Sequence, residues 1–174
     1  MAKTRTRRFR RRTTRWASNI QELNYQGVAA ASGSWSANSV LATNPSQNTL
    51  GVSQIYTVKN FDINFTIESD NQWNLEAITA YIMYVPQGMN ISDNYNLEHP
   101  EYIMNYKYLG SPTGTGTSTS AEIQQFQPTR LRTRLARKLN TGDSVILFIK
   151  GYNQSTSQLN LNISGLIRWW TKAN

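Results

Sequence analysis

The chain has 174 residues, a formal net charge of +8 and no cysteine, which excludes disulfides, thiolate metal sites and a cysteine nucleophile. Its length suits one domain with its own core rather than two. It contains no run of about eighteen apolar residues, so neither a transmembrane helix nor membrane insertion is expected.

The charge is distributed unevenly. Residues 1–15 carry eight basic side chains, Lys3, Arg5, Arg7, Arg8, Arg10, Arg11, Arg12 and Arg15, and no acidic one; residues 16–174 carry ten basic and ten acidic side chains and sum to zero. So many like charges, with nothing apolar and periodic to bury, predict a disordered arm over 1–18. A folded body over 19–174 follows. The net charge then belongs to a tail and not to a body surface. The basic start lacks a continuous apolar stretch and does not read as a secretory signal. Sequons at Asn64, Asn90, Asn153 and Asn162 read as chance in a chain this rich in Asn, Ser and Thr.

The body reads as strands separated by turn chemistry. A first strand is expected within 24–31. Residues 54–68 alternate, with Tyr56 and Val58 followed by Phe61, Ile63, Phe65 and Ile67, and a bulge near Lys59-Asn60 resets the phase. Residues 74–85 are apolar on both faces and stop at Pro86-Gln87-Gly88. A shorter strand covers 101–109, a Gly/Thr/Ser loop covers 110–120, and another strand is expected over 121–127. Residues 130–139 fit a strand with Arg130, Arg132 and Arg134 on one face, or a helix with Leu131, Leu135 and Leu139 in line. The strand is preferred because 140–143 then forms a tight turn. Residues 143–152 are nearly all apolar, as a central strand is. Residues 159–171 alternate, with Gly165 as an expected bulge. About eight strands with regular turn signals predict an antiparallel sandwich.

Catalytic chemistry finds no residues to stand on, and no enzyme, cofactor or metal is predicted. His99 is the single histidine and reads as a surface loop residue. Glu98 and Glu101 flank it, a weak divalent-cation arrangement that reads better as a solvated loop. No nucleophile elbow or phosphate loop occurs.

The arm carries the functional signal. Its cations match phosphate contacts, and its seven arginines can also stack on bases. Trp16 either stacks on unpaired bases or begins the packed body. Arg130, Arg132, Arg134, Arg137 and Lys138 form a second basic cluster, which either faces the same polyanion or pairs with the body's carboxylates. A neutral body rich in Tyr and Trp, holding a polycation, suggests many copies enclosing a nucleic acid. The rival readings are a cellular nucleic-acid-binding β-domain with a basic extension, and a carbohydrate-binding sandwich using Trp73, Trp169 or Trp170.

Several segments resemble one family. They are KTRTRRFRRRTTR at 3–15, YIMYVPQG at 81–88, HPEYI at 99–103, YKYLG at 106–110, RTRLARKLNTGDSVILFIKGYN at 132–153 and GLIRWWTKAN at 165–174. Their order and spacing resemble the capsid proteins of circular single-stranded DNA viruses that encode their own replication initiator, the circovirus-like group. The resemblance implies an eight-stranded jelly roll and a sixty-subunit T=1 icosahedral shell. It also implies an arm directed inward to a circular single-stranded DNA genome, and nuclear import through that arm by host machinery. The virion and the host nucleus would be its locations, and outer loops such as 87–98 or 110–120 would meet an unknown receptor. This chain is shorter than a typical member, its arm included.

Overall fold

The structure is a computed structural model that describes residues 15–44, 55–70, 74–110, 124–125 and 128–173. Ten strands are described: β1 Ala17–Ala29, β2 Gly33–Thr43, β3 Tyr56–Ser69, β4 Leu75–Val85, β5 Ile103–Gly110, β6 Gln124–Gln125, β7 Thr129–Arg132, β8 Ala136–Leu139, β9 Ser144–Asn153 and β10 Leu159–Ala173. A one-turn helix, α1, spans Tyr95–Glu98, and a 3-10 turn follows at Pro100–Tyr102.

Two antiparallel sheets face each other. The first has the order β1-β10-β3, with β6, β7 and β8 successively along the far side of β3; the second has the order β2-β9-β4-β5. Taking β7 and β8 as one interrupted strand, first pairs with last, second with second-last, third with β7–β8, and β4 with β5. A long hairpin rolled up so that β10 also meets β3 and β9 also meets β4 gives this pattern. The fold is an eight-stranded jelly roll.

Strand periodicity accounts for the core. Phe61, Ile63, Phe65 and Ile67 of β3 and Leu161, Ile163 and Ile167 of β10 are buried against Ile78, Ala80 and Ile82 of β4 and Val145, Leu147 and Ile149 of β9. A second cluster lies on the outer side of the second sheet, where Met83, Val85, Ile146 and Phe148 pack around Tyr95 of α1. Residues 86–102 therefore cover that side, which is why β4 and β9 are apolar on both faces. Ser36 Oγ donates to Asp93 at 2.6 Å and Lys150 Nζ to Asn94 at 2.5 Å, tying the cover down.

The predicted bulge near Lys59-Asn60 is present. Arg168 pairs with Asp62 but Trp170 with Lys59, and Asn60 sits at φ 54°. The 140–143 turn is also present, with Gly142 at φ 86° and Asp143 N–H donating to Asn140 O at 3.0 Å. Four expectations need correction. The first strand, expected within 24–31, runs from Ala17 to Ala29 and takes in two residues assigned to the arm. All of β2 was missed, because its small polar residues dilute Trp35, Ala37 and Leu41, which point inward. Gly165 is not a bulge: it pairs in unbroken register with Leu23 and Phe65, and the inward phase continues to Ile167 while Leu166 is 54% exposed. The 130–139 strand breaks at 133–135, where the Thr133 hydroxyl accepts from the Leu135 N–H, leaving Leu135 exposed. Asn153 of one sequon is fully buried and donates to Ala30 and Ser157 carbonyls, so it is structural.

Asp143 ties the end of the second sheet together. It is 3% exposed and accepts from Tyr84 OH at 2.6 Å, Asn140 N–H at 2.8 Å and Gln87 N–H at 3.0 Å. Burial, and then this hydrogen bond, push the Tyr84 phenol from 10.0 up to about 12. Burial, and then Tyr102 and Glu101, push Tyr95 up to about 12. Folding therefore favours the neutral phenols. Their contribution is fully present below about pH 10 and is lost as pH rises towards 12. The thermal midpoint is expected to hold up to about pH 10 and then fall. Tyr84→Phe should fall less steeply over that window. Circular dichroism melts across alkaline pH check both.

Candidate nucleic-acid interface

The outer face of the first sheet gathers the body's cations. Alternation places Lys59 of β3, Arg130 and Arg132 of β7, Lys138 of β8, and Arg168, Trp170 and Lys172 of β10 on this face, opposite the inward Val58, Leu131, Leu139 and Ile167. Cross-strand pairing sets them in rows: Arg132, Asp62 and Arg168 form one; Lys59, Trp170 and Ser18 the next; Lys138, Thr57 and Lys172 a third. Six of the ten body cations thus share one face. Asp62 lies among these cations; Glu22 of β1 shares the face in the row of Leu166, Asn64 and Arg130, and Glu68 lies further along β3.

The N-terminal end of the described chain lies in the same place. β1 begins at Ala17, paired with Thr171 of β10. Arg15 and Trp16 immediately precede it, and the Lys59 ammonium lies 3.9 Å from the Trp16 ring centre. Trp16 is half-buried, so it packs on the sheet and also presents a ring beside cations. The arm cations Lys3, Arg5, Arg7, Arg8, Arg10, Arg11 and Arg12 lie outside the described residues, as do Trp73 and 111–120.

The second basic cluster divides. Arg130 makes a bidentate pair with Asp62, Nε to Oδ1 at 2.7 Å and Nη2 to Oδ2 at 2.6 Å. Arg132 Nε is 3.6 Å from the same Oδ2. The hydrogen bond from Arg130 holds the Asp62 carboxyl below its usual 3.8; burial opposes this, and the charges of Arg130, Arg132 and Arg168 add to it. Among the described residues Arg134 and Lys138 form no ion pair, and both are exposed. Arg137 does not share the face. Its register with the buried Val58 turns it inward, where its guanidinium lies 4.7 Å from the Tyr84 ring centre and its Nη2 donates to Glu101 O at 3.4 Å.

The opposite side is acidic. Asp93, Glu98 and Glu101 lie in the segment covering the second sheet, and Glu76 projects from β4. The two sides of the neutral body therefore differ in sign, the first sheet's outer face net basic despite Asp62, Glu22 and Glu68 and the other side net acidic despite Lys150, and basic character is a property of its surface as well as of the tail. This corrects the reading from charge totals alone, which cannot see how the two signs are placed.

His99 is also not a plain surface residue. Its ring packs against Tyr95 and Tyr102 at 5.0 and 5.3 Å, with Nδ1 3.3 Å from Glu101. No group of three metal-capable side chains occurs among the described residues. Trp169 is turned inward and stacks on Phe61, with ring centres 6.4 Å apart, which removes one of the aromatics a sugar platform would need.

Lys59, Arg168 and Lys172 were missed as site residues, and Trp170 entered only as a candidate sugar platform. The signal was present in β10, where Arg168, Trp170 and Lys172 alternate against Ile167, Trp169 and Thr171, but the supposed phase change at Gly165 obscured it.

No protein-family model matches the chain, and no curated protein sequence matches it. Solved structures give remote similarity. One of the infectious bursal disease virus Gx strain has a TM-score of 0.41 at 9% identity, covering 90% of this chain and 32% of that one. One of Desmodium yellow mottle tymovirus has a TM-score of 0.34 at 12% identity, covering 90% and 89%. The VP2 subviral particle of infectious bursal disease virus gives 0.29 at 12%, covering 86% and 33%. The chain thus spans about a third of both bursal disease virus chains. At these scores the likeness carries no functional weight, and the jelly roll stands on strand order.

Proposed function

We propose that this chain is a viral coat protein that closes with copies of itself into an icosahedral shell and packages a circular single-stranded DNA genome. The observation that carries this reading is the shared location of the arm root and six body cations on the outer face of one sheet, with the acidic cover on the other. A subunit polarised in this way presents one side to a polyanion and turns the other away from it. The jelly roll supplies the wall, and the arm supplies charge that reaches beyond it. Sixty copies, as the resemblance suggests, would bring 480 arm charges to the enclosed strand. Phosphate contacts of this kind carry little sequence preference.

Self-association has surface to use. Tyr106 and Tyr108 are each 63% exposed on the edge strand β5, and Leu97 at the tip of α1 is 69% exposed. Tyrosine-rich, charge-poor surface is typical of the centres of protein interfaces. Nuclear import through the arm, residence in the virion and receptor contact through 87–98 or 110–120 follow from the same reading. It assigns no catalytic step to the chain.

Negative-stain microscopy of the purified full chain tests this. Closed particles of one size, with nuclease-protected DNA inside, are the expected outcome. A species the size of one chain at every salt concentration would instead favour the cellular DNA-binding domain.

A further inference from the structure

Asp62 is the carboxylate that pairs with the cations of the basic half-face, while Glu22 lies at the end of the neighbouring row, beyond Leu166. The Asp62 side chain is 18% exposed, while those of Arg130 and Arg132 are 54% and 57% exposed, so the carboxylate forms the floor and the guanidiniums lie over it. Arg168 is its register partner on the other side. An open groove of about 310 Å³ runs beside them, lined by Ile20, Asp62, Asn64, Arg130, Leu166 and Arg168. Ile20 is 61% and Leu166 54% exposed, so apolar surface lies beside the cations, with Glu22 of β1 next to Leu166.

An exposed ion pair of this kind contributes little to folding. Its geometry has a different consequence. The fork of Arg130 that grips the carboxylate is the same fork that grips a phosphate. Asp62 therefore occupies the position in which that fork would hold a phosphate. The groove beside it matches one nucleotide of an unpaired strand, with phosphate towards the arginines and a base face against Ile20 and Leu166. A duplex buries its base faces in the stack and cannot offer one.

We propose that this groove binds one nucleotide unit of a single-stranded phosphodiester chain, and that Asp62 is its built-in competitor, releasing the Arg130 fork to a backbone phosphate when a strand arrives. The proposal rests on the packaging reading and deepens it. Each subunit would hold the strand weakly at the sheet and strongly at the arm, so the bound strand could rearrange during assembly.

The test uses the full chain and a fluorescein-labelled oligothymidylate, titrated over a series of sodium chloride concentrations. Asp62→Asn keeps the shape and removes the competing charge. It should bind about five- to tenfold tighter, with the log–log salt slope steeper by about 0.7, one added phosphate contact. Arg130→Gln in that background should abolish the gain, and Arg130→Gln alone should weaken binding several-fold. Unchanged affinity and slope in both Asp62→Asn and Arg130→Gln would overturn the groove while leaving the arm intact. If Asp62→Asn fails to fold, Arg130→Gln decides alone, and wild-type binding by it defeats the proposal. A complete lack of binding by the unaltered chain would defeat the packaging reading itself. Inorganic phosphate serves as the control ligand; an equal gain with phosphate alone would make this an isolated anion site and overturn the strand assignment.

Discussion

A chain lacking residues 1–15 is expected to keep its folded body and lose most of its affinity for single-stranded DNA. The eight cations removed are all of the net charge. With about 0.7 counterions released per phosphate on a single strand, eight contacts correspond to a salt slope of about 5 to 6. Affinity at low salt should fall on the order of a thousandfold, and the slope should shrink to what the sheet face supplies. The body loses no ladder hydrogen bond, because β1 starts at Ala17. Trp16 and its contact with Lys59 also remain. Fluorescence anisotropy across salt, with circular dichroism as the folding control, measures both quantities. Full retention of DNA by the truncated chain would transfer the function to Lys59, Arg132, Lys138, Arg168 and Lys172.

Gly165→Ala is expected to be among the most damaging single substitutions in the body. β10 is hydrogen-bonded on both sides, to β1 and to β3. A Cβ at position 165 would lie 2.1 Å from the Asn64 carbonyl oxygen and 2.7 Å from Phe65 Cα. Both are backbone atoms of the adjacent central strand, so neither can swing aside as a side-chain tip can. Relief requires β3 and β10 to separate, which breaks ladder bonds and opens the core around Phe65 and Ile163. A loss of about 3 kcal/mol or more is expected, beyond the usual range for one added methyl group. That corresponds to a fall in thermal midpoint of roughly 6–12 °C for a domain of this size. Gly151→Ala is the informative comparison. There the added Cβ meets the Trp35 ring at 2.6 Å, and a side chain can shift at lower cost. A Gly165→Ala protein that melts like wild type would show that the β3–β10 spacing is not set by this glycine.

Much of the architecture was legible because strands announce themselves by alternation. β3, β4 and β9 have strong β-branched and aromatic runs, and their predicted extents match closely. The Lys59-Asn60 bulge was readable because the apolar phase visibly shifts there. β2 was not legible, since Gly33–Thr43 alternates small residues with polar ones and its inward set is spread thinly over Trp35, Ala37 and Leu41. The strand total of about eight was nonetheless reached, because the minor β6 region stood in for it. In β10 the conspicuous Gly165 suggested a bulge, whereas its small size serves close strand approach. Both errors have one cause: local pattern records which residues are apolar but not how near a neighbouring strand comes.

The amino-acid order by itself determined that charge is concentrated in a tail, that the body is built of strands, and that no cysteine chemistry is available. Those properties depend on residue type and short-range period, which one dimension preserves. Only the tertiary structure decided that Lys59, Arg168 and Lys172 join Arg130, Arg132 and Lys138 beside the arm root, that Arg137 leaves them for Tyr84, and that Asp62 sits at their focus. These residues come from four strands distant in the chain. Their meeting is set by the rolled-hairpin pairing, in which β10 and β7–β8 flank β3, and no local pattern encodes that adjacency.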